Sequence, residues 1–392
     1  MAGVLPPAWV VIPTYWGPFG TAIYDHPTPL DGQSTLPRLL NSLTRQENAP
    51  DFSVLILVSA VAPQYEKAAT ARVRDLLIPY SDRLNLTLAD ANTAQLIDNH
   101  FQAHGFDAQI ARMRGYAAVR NMQLLVPAVL GAEVIIALDD DEVVTPDYLR
   151  RAVKWSGTSF KSQPVTGIAG LYLDAAGSPY LPETPRSDNI FADKPIYMNQ
   201  TVKGLAEQHG HLIETPMALG GNMVFHQRLF KQVSFDPGIT RGEDIDYLIN
   251  ARLAGQTFYL DQQLTITHLP PRQYEAPSYG KLRQDVFRFV YEKEKLRLGN
   301  LAPKAFYPYP GRFLEADVLA QARQALQMAA TPDMVTRFGN PEAILTAAQR
   351  HAGEQAPRYF DFARRWTEIM ATLTNETTLP DKLRLVLPVK AG

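Results

Sequence analysis

The chain contains no cysteine. That excludes a disulfide framework and any zinc–thiolate site, and it fits a reducing compartment. An excess of charge of one sign is missing too, since 38 Lys and Arg stand against 40 Asp and Glu and leave a formal net charge of −2. With no basic field and no Lys/Arg block, nucleic acid is not an expected partner. Long apolar runs are also wanting. The longest candidate, Met122 to Leu138, is interrupted by Pro127 and Glu133 and falls short of the ~20 residues that span a bilayer. The opening "MAGVLPPAWVVIP" has no basic n-region and is broken by prolines, so it does not read as a secretory signal. A soluble, cytoplasmic protein is expected, with peripheral membrane contact left open. No Gly-x-Gly-x-x-Gly follows the first apolar run and no Gly-Lys-Ser/Thr loop occurs anywhere, which disfavours dinucleotide dehydrogenases and P-loop enzymes. Repeats and low-complexity tracts are absent as well.

What is present suffices for a large core: 392 residues, 46% of them apolar. Short apolar runs read as strands at Trp9–Pro13, Val54–Val58, Leu84–Leu88 and Glu133–Leu138, with helices predicted over Leu36–Gln46, Tyr65–Tyr80 and Ala111–Leu130 between them. That order is the nucleotide-binding half of a doubly wound α/β sheet. Further strands are predicted over Thr166–Leu173, within Ala218–Phe230 and over Asp261–His268. Between the first two of these lies the poorly periodic stretch Ala175–Pro216, which could hold a hairpin and an acceptor-binding insertion. Helices are predicted over Ser278–Leu298 and through Phe313–Leu373, and Leu385–Gly392 reads as a loose tail.

The chain is organised around "GAEVIIALDDDEVVTPDYLRRAV", Gly131 to Val153. Its strand shows no alternation, the pattern of burial on both faces of a sheet, and it ends in Asp139, Asp140, Asp141 and Glu142. Thr145-Pro146-Asp147 then supplies an N-cap and a first-turn proline for a helix, so the acids are expected in a strand-to-helix turn. Alternation lets Asp139 and Asp141 point one way while Asp140 points another. Like charges that close repel unless a cation lies between them, and oxygen donors suit Mg²⁺ or Mn²⁺. A solvated acidic turn is the plainer reading. The buried strand argues against it, because the strand delivers these carboxylates to the rim of the sheet.

Other candidates surround this centre. Arg112, Arg114 and Arg120 gather near a predicted helix start, where an anion such as a diphosphate could be met or the arginines simply pair with acids. Thr14 to Ser34 is a long loop after a strand; Tyr15, Trp16, Phe19 and Tyr24 in it form a lid or wall, or else pack down. Gly220 and Gly221 would let backbone approach a ligand, or form a plain turn. In "TRGEDIDYLINARLAGQTFYL", Glu243, Asp244 and Asp246 crowd a first helical turn, which suits the helix dipole and is equally a way to present a general base. His268, ending a strand, is a candidate third metal ligand.

As an ordered set, these motifs resemble a GT-A glycosyltransferase of the large family-2 type. "RGYAAVRN…GAEVIIALDDDE" resembles that family's helix leading into its Asp-x-Asp turn, and "RGEDIDYLINARLAGQTFYL" its later Glu-Asp helix. The resemblance covers about Val10 to His268. It implies an α/β GT-A fold, Rossmann-like with a mostly parallel sheet flanked by helices, over residues 1–270, and a helical C-terminal extension over 271–392. It further implies that Asp139, Asp141 and His268 bind Mg²⁺ or Mn²⁺ bridging the diphosphate of a UDP- or GDP-sugar, and that Asp140 reaches the ribose. Pro13, Thr14 and Tyr15 would border the nucleotide, with Arg120 near its phosphates. Asp244 would be the base, with Glu243 beside it. One departure stands out: where the family carries an acid after the second strand to hold the nucleobase, this chain has Ser59-Ala60-Val61, and Asp90 is the substitute.

The reaction implied is transfer of a sugar to a hydroxyl acceptor with inversion; a small glycoside, a saccharide and a lipid-linked acceptor all remain open, as does homo-oligomerisation. Three rivals stand beside it. A retaining transferase uses a related fold. A haloacid-dehalogenase-like phosphatase would use Asp139 and Asp141, but its strand usually comes first in the chain. The last is a nucleotide-sugar-binding protein without turnover.

Overall fold

The computed structural model describes residues 5–18, 24, 27–106, 110–182, 185–271, 278–373 and 376–389. Its first half runs β1 (Ala8–Trp16), α1 (Leu36–Leu43), β2 (Phe52–Ala60), α2 (Pro63–Leu77), β3 (Leu86–Ala89), α3 (Ala91–Ala103), α4 (Tyr116–Val129) and β4 (Val134–Ala137). There follow β5 (Glu142–Val144), α5 (Tyr148–Val153), a small hairpin of β6 (Ser159–Phe160) and β7 (Gln163–Pro164), β8 (Gly167–Leu173) and α6 (Lys194–Ala206). Next come β9 (Ile213–Glu214), β10 (Met223–His226), α7 (Gln227–Phe230), α8 (Glu243–Leu253) and β11 (Phe258–His268). Helices α9 (Ser278–Leu298), α10 (Val318–Ala329), α11 (Pro332–Phe338), α12 (Pro341–Thr372) and α13 (Thr378–Val386) follow.

The main sheet has the order β3-β2-β1-β4-β10-β8-β11-β5, with β9 on β11. Strands β3, β2, β1 and β4 are mutually parallel, as the sequence predicts. Beyond β4 the sheet is mixed: β10 lies antiparallel between β4 and β8, and β5 runs antiparallel to β11. The two faces explain the strands' lack of alternation. Val11, Leu55, Leu57, Ile135 and Ala137 enter one apolar layer, under α3, α4, α8 and the C-terminal helices. Val10, Ile12, Val54, Ile56 and Ile136 enter the other, under α1, α2 and α5. Neighbouring residues of one strand thus lie in opposite layers, and both positions must be apolar.

Pro13 sits inside the central strand β1, where a missing N–H normally costs a ladder bond. Here it does not. Val11 accepts from Leu138 N–H on the β4 side, the last contact before β4 turns away. Pro13, two residues on, faces that same, vacated side.

A buried polar cluster fixes the C-terminal helices to α8. Lys295 of α9 is fully buried and bonds Asp236 at 2.7 Å, Asn250 at 2.8 Å and Asp246, while Tyr291 donates to Asp236 at 2.6 Å. No helix among the described residues is long and apolar enough to cross a membrane.

Several local expectations are corrected. The acids do not lie in a strand-to-helix turn, because β5 intervenes and pairs with β11 before α5 begins. The proline-rich stretch after β8 contains α6, started by Pro195 in its first turn. The helix predicted from Ala111 begins only at Tyr116, after Gly115 at φ 88°. Most of the supposed tail is ordered: α13 ends at Val386, then Leu88 N–H donates to Leu387 and Val389 N–H to Leu86, which extends the sheet edge at β3. Residues 390–392 of that tail lie outside the described residues, as do Phe19 of the aromatic loop and 272–277 beyond β11.

Candidate active site

Strand β4 is four fully buried apolar residues, and Leu138 after it is also buried. The chain therefore has no freedom until Asp139, where it reaches the rim and turns back into β5. Each acid of this turn meets a different partner. Asp139 accepts from Arg120 at 2.7 Å and lies 3.5 Å from the Tyr172 hydroxyl. Asp140 points the other way and accepts from Thr14 at 2.5 Å, whose oxygen in turn accepts from Trp16 Nε1. Burial pushes the Asp140 carboxyl up to about 7, with the charge of Asp141 adding to it and the Thr14 bond opposing. Asp141 meets His268 at 3.3 Å, and its backbone carbonyl accepts from Arg38 and from Leu269 N–H. The register of β5 on β11, with Glu142 opposite His268, makes that meeting possible.

Glu142, the fourth acid, is wholly buried. One of its oxygens accepts from Asp139 N–H at 3.0 Å, and the Tyr172 hydroxyl also bonds its carboxyl group. Burial first, then Asp139 and Asp141, raise its pKa well above the ordinary carboxylate range. Gly221 exists to leave it room, since a Cβ there would strike Glu142 and the Tyr172 hydroxyl, and one on Gly220 would strike Arg120. The paired glycines are thus a close approach to this acidic floor.

Arg120 joins the second centre. Nearly buried, it bonds Asp139 with one nitrogen, Gln123 at 3.1 Å with another, and reaches Glu243 at 3.4 Å with the third. Glu243 and Asp244 open α8 after Gly242, whose φ of 72° and tight fit against Arg288 suit only glycine. Asp244 is half-buried and accepts from Gly220 N–H at 3.1 Å. The two acidic stretches are thereby connected, through Arg120 and through the Gly220 N–H. Burial, reinforced by Asp244 and opposed by Arg120, pushes Glu243 up to about 7.

At His268 burial favours the neutral ring. The Asp141 bond and the charges of Asp141 and Asp139 outweigh it and raise the pKa. A carboxylate and an imidazole in contact at the rim are donors suited to Mn²⁺ or Mg²⁺. Asp139 is turned to Arg120 and Tyr172, and Asp139, Asp141 and His268 do not bring one ligand atom each to within 4.8 Å of one another.

The remaining candidates divide. Pro13 and Thr14 are buried and Tyr15 half-buried at the end of β1. Tyr15, Tyr24 and Tyr116 form a ring cluster with centroids 4.3–5.3 Å apart, so the described part of the aromatic loop packs down. Tyr24 bonds Ser59 at 2.7 Å, and Ser59 donates to Met113. The position lacking the expected acid is thereby engaged within the fold. Asp90 caps α3, accepting from Asn92 and Thr93 N–H and from Thr70. Arg114 pairs with Glu66 at 2.7 Å, whereas Arg120 pairs with Asp139. Asp246 turns from the cleft to Lys295. Glu142 was read only as the last of the acid run, and Tyr172 and Arg38 were not singled out from the sequence. Glu142 and Gly221 were both visible there, but nothing in one dimension placed them in contact.

No protein-family model matches the chain, and no curated protein matches it. Solved structures similar to it include a mannosyltransferase, PcManGT, from Pyrobaculum calidifontis in complex with GDP-Man and Mn²⁺, at 17% identity and a TM-score of 0.47, covering 97% of this chain and 87% of that one. Another is GalNAc-T7 with UDP, GalNAc and Mn²⁺, at 12% identity and a TM-score of 0.40, covering 86% of this chain. The chain spans 57% of that protein's length. A mycobacterial protein is similar at 12% identity and a TM-score of 0.40, with 76% of each chain covered. The parallel β3-β2-β1-β4 order, the acidic turn at the end of β4 and the β5–β11 pairing behind it make the architecture. The described elements form a mixed α/β sheet flanked by helices, followed by a helical C-terminal region.

Proposed function

We propose that the protein is a glycosyltransferase that uses a divalent cation and a nucleotide-diphosphate sugar to glycosylate a hydroxyl acceptor, with inversion. One contact carries this reading. Arg120 bonds Asp139 and reaches Glu243, which supports reading the acidic turn and the acidic helix start as parts of one site.

Asp141 and His268 would hold the cation, with Asp139 joining when its bond to Arg120 loosens. The ion, Mg²⁺ or Mn²⁺, supplies charge neutralisation to a leaving diphosphate. Thr14 and Asp140, together with Pro13 and Tyr15, would border the nucleoside, with the Asp140 carboxylate toward the ribose. Arg120 holds a fixed positive charge beside the phosphates without needing to move. Asp244 is the accessible member of the Glu-Asp pair and would take the proton of the acceptor hydroxyl, while Glu243, buried and tied to Arg120, orients it. The Gly220 N–H that Asp244 accepts fixes the carboxylate's direction.

Whether the donor is a UDP- or GDP-sugar is decided by thermal-shift measurement with each nucleotide and Mn²⁺, followed by turnover against small glycosides, saccharides and lipid-linked acceptors. Proton NMR of the product tests inversion. An anomeric configuration unchanged from the donor defeats that part, and phosphate release from a generic phosphomonoester would favour the phosphatase reading instead.

A further inference from the structure

A second group of metal-type side chains lies at the edge of the fold, sharing no residue with the cleft. Helix α3 carries His100 and, one turn on, His104 at its C-cap, and the two rings stack with centroids 4.3 Å apart. Facing them is Glu376, at the entry to α13. Its Oε2 lies 3.3 Å from His100 Nε2, and its Oε1 accepts from the N–H groups of Thr378 and Leu379. Among the described residues, these three alone bring one ligand atom each to within 4.8 Å of one another.

Two details suit a ligand role. His104 Nδ1 is 2.8 Å from the His100 carbonyl oxygen; donating there leaves the Nε2 lone pair free, the orientation that a backbone carbonyl imposes on metal-binding imidazoles. His104 is exposed, so it can rotate toward its partners without moving backbone.

We propose that His100, His104 and Glu376 form a binding site for a nitrogen-preferring divalent ion of the zinc class, completed by water, that fastens α13 to the end of α3. Two imidazoles and a carboxylate favour Zn²⁺ over Mg²⁺. Ligand bonds of ~2.0–2.2 Å require the present spacing to contract by about 1 Å, which the His104 side chain can supply. The consequence is mechanical. Glu376 precedes the helix whose end delivers Leu387 and Val389 to the edge of β3, so the ion would clamp the last stretch of chain to the catalytic sheet.

The test uses the full chain, freed of metal and held in excess Mg²⁺ to occupy oxygen-rich sites. Equilibrium dialysis should retain one Zn²⁺ per chain, Co²⁺ in its place should give a tetrahedral visible spectrum, and Tm should rise with Zn²⁺. His104→Ala should weaken Zn²⁺ binding at least ~10-fold and abolish the Tm rise, while the far-ultraviolet spectrum and any transfer activity stay unchanged. His209→Ala, a histidine elsewhere, should bind as wild type does. Absence of retained Zn²⁺ overturns the proposal. So does Zn²⁺ binding that survives His104→Ala but is lost in Asp141→Ala, which would locate the ion in the cleft.

Discussion

Asp139 and Glu243 are held by one side chain, the guanidinium of Arg120. The contact connects the end of β4 with the start of α8 through the middle of α4, so the positions of both acids depend on a residue that belongs to neither. Lysine could not take its place. A single ammonium lacks the planar fork that spans two carboxylates in different directions.

Arg120→Lys should therefore keep the positive charge but release one acid, and Arg120→Ala should release both. The alanine variant leaves carboxylates without a partner in a nearly buried site, a loss of about 3–5 kcal/mol of stability for a broken buried pair. Denaturant titration checks the stability. Nucleotide binding should weaken in both variants, and a lysine variant with wild-type affinity would contradict the bridging role.

Asp141→Ala should abolish metal-dependent nucleotide binding, because it removes the carboxylate that His268 meets and leaves one imidazole as the only fixed donor. Isothermal titration with UDP and GDP, with and without Mn²⁺, reads this directly. Equal affinity in variant and wild type would refute the assignment.

Asp244→Asn should spare donor binding and lower kcat by roughly 10²–10⁴-fold, the range of a general base. Asparagine keeps the acceptor for Gly220 N–H, so the loop geometry is retained and only the basicity goes. A parallel loss of donor affinity would argue for a binding role instead.

Of this arrangement, the sequence made legible whatever depends on local pattern. The buried strands, the acid run, the acid-crowded start of the second acidic helix and the late histidine are all readable because each is a short motif with a physical signature. Long-range geometry was not readable. The turn from Asp139 to Glu142 resembles a helix entry because Thr145-Pro146-Asp147 really does precede α5; only the three-residue β5, too short to show a period, tells otherwise. Asp246 reads as a third cleft acid until Lys295 of a distant helix claims it. The ordered C-terminal stretch was lost for the same reason, since Leu387 and Val389 owe their burial to β3 and not to any pattern of their own.

Glu243 supplies a pH dependence with a definite sign. Its folded pKa of about 7 exceeds the ordinary 4.5, so its contribution to stability is full below the ordinary value and is lost as pH rises through 7. Glu243→Gln mimics the protonated form at every pH. Between pH 4.5 and 8 the variant should gain on wild type by on the order of 3 kcal/mol, as measured by urea unfolding at each pH. A difference independent of pH would show that Arg120 keeps Glu243 ionised throughout.

Lys295→Met tests what fastens the C-terminal helices to α8. The lysine is fully buried; burial alone would lower its pKa, but Asp236 and Asp246 outweigh that and raise it. Methionine fills similar space and takes from those two carboxylates the ammonium that both contact, so stability should fall by about 3–5 kcal/mol. Adding Asp246→Asn removes one of the stranded charges and should restore a large part of the loss. None of the bonds described for Lys295 reaches Asp139 or Asp141, so folded Lys295→Met protein should bind nucleotide as wild type does. If the double variant were no more stable than Lys295→Met alone, the cost would come from lost packing around the ammonium and not from unpaired charge.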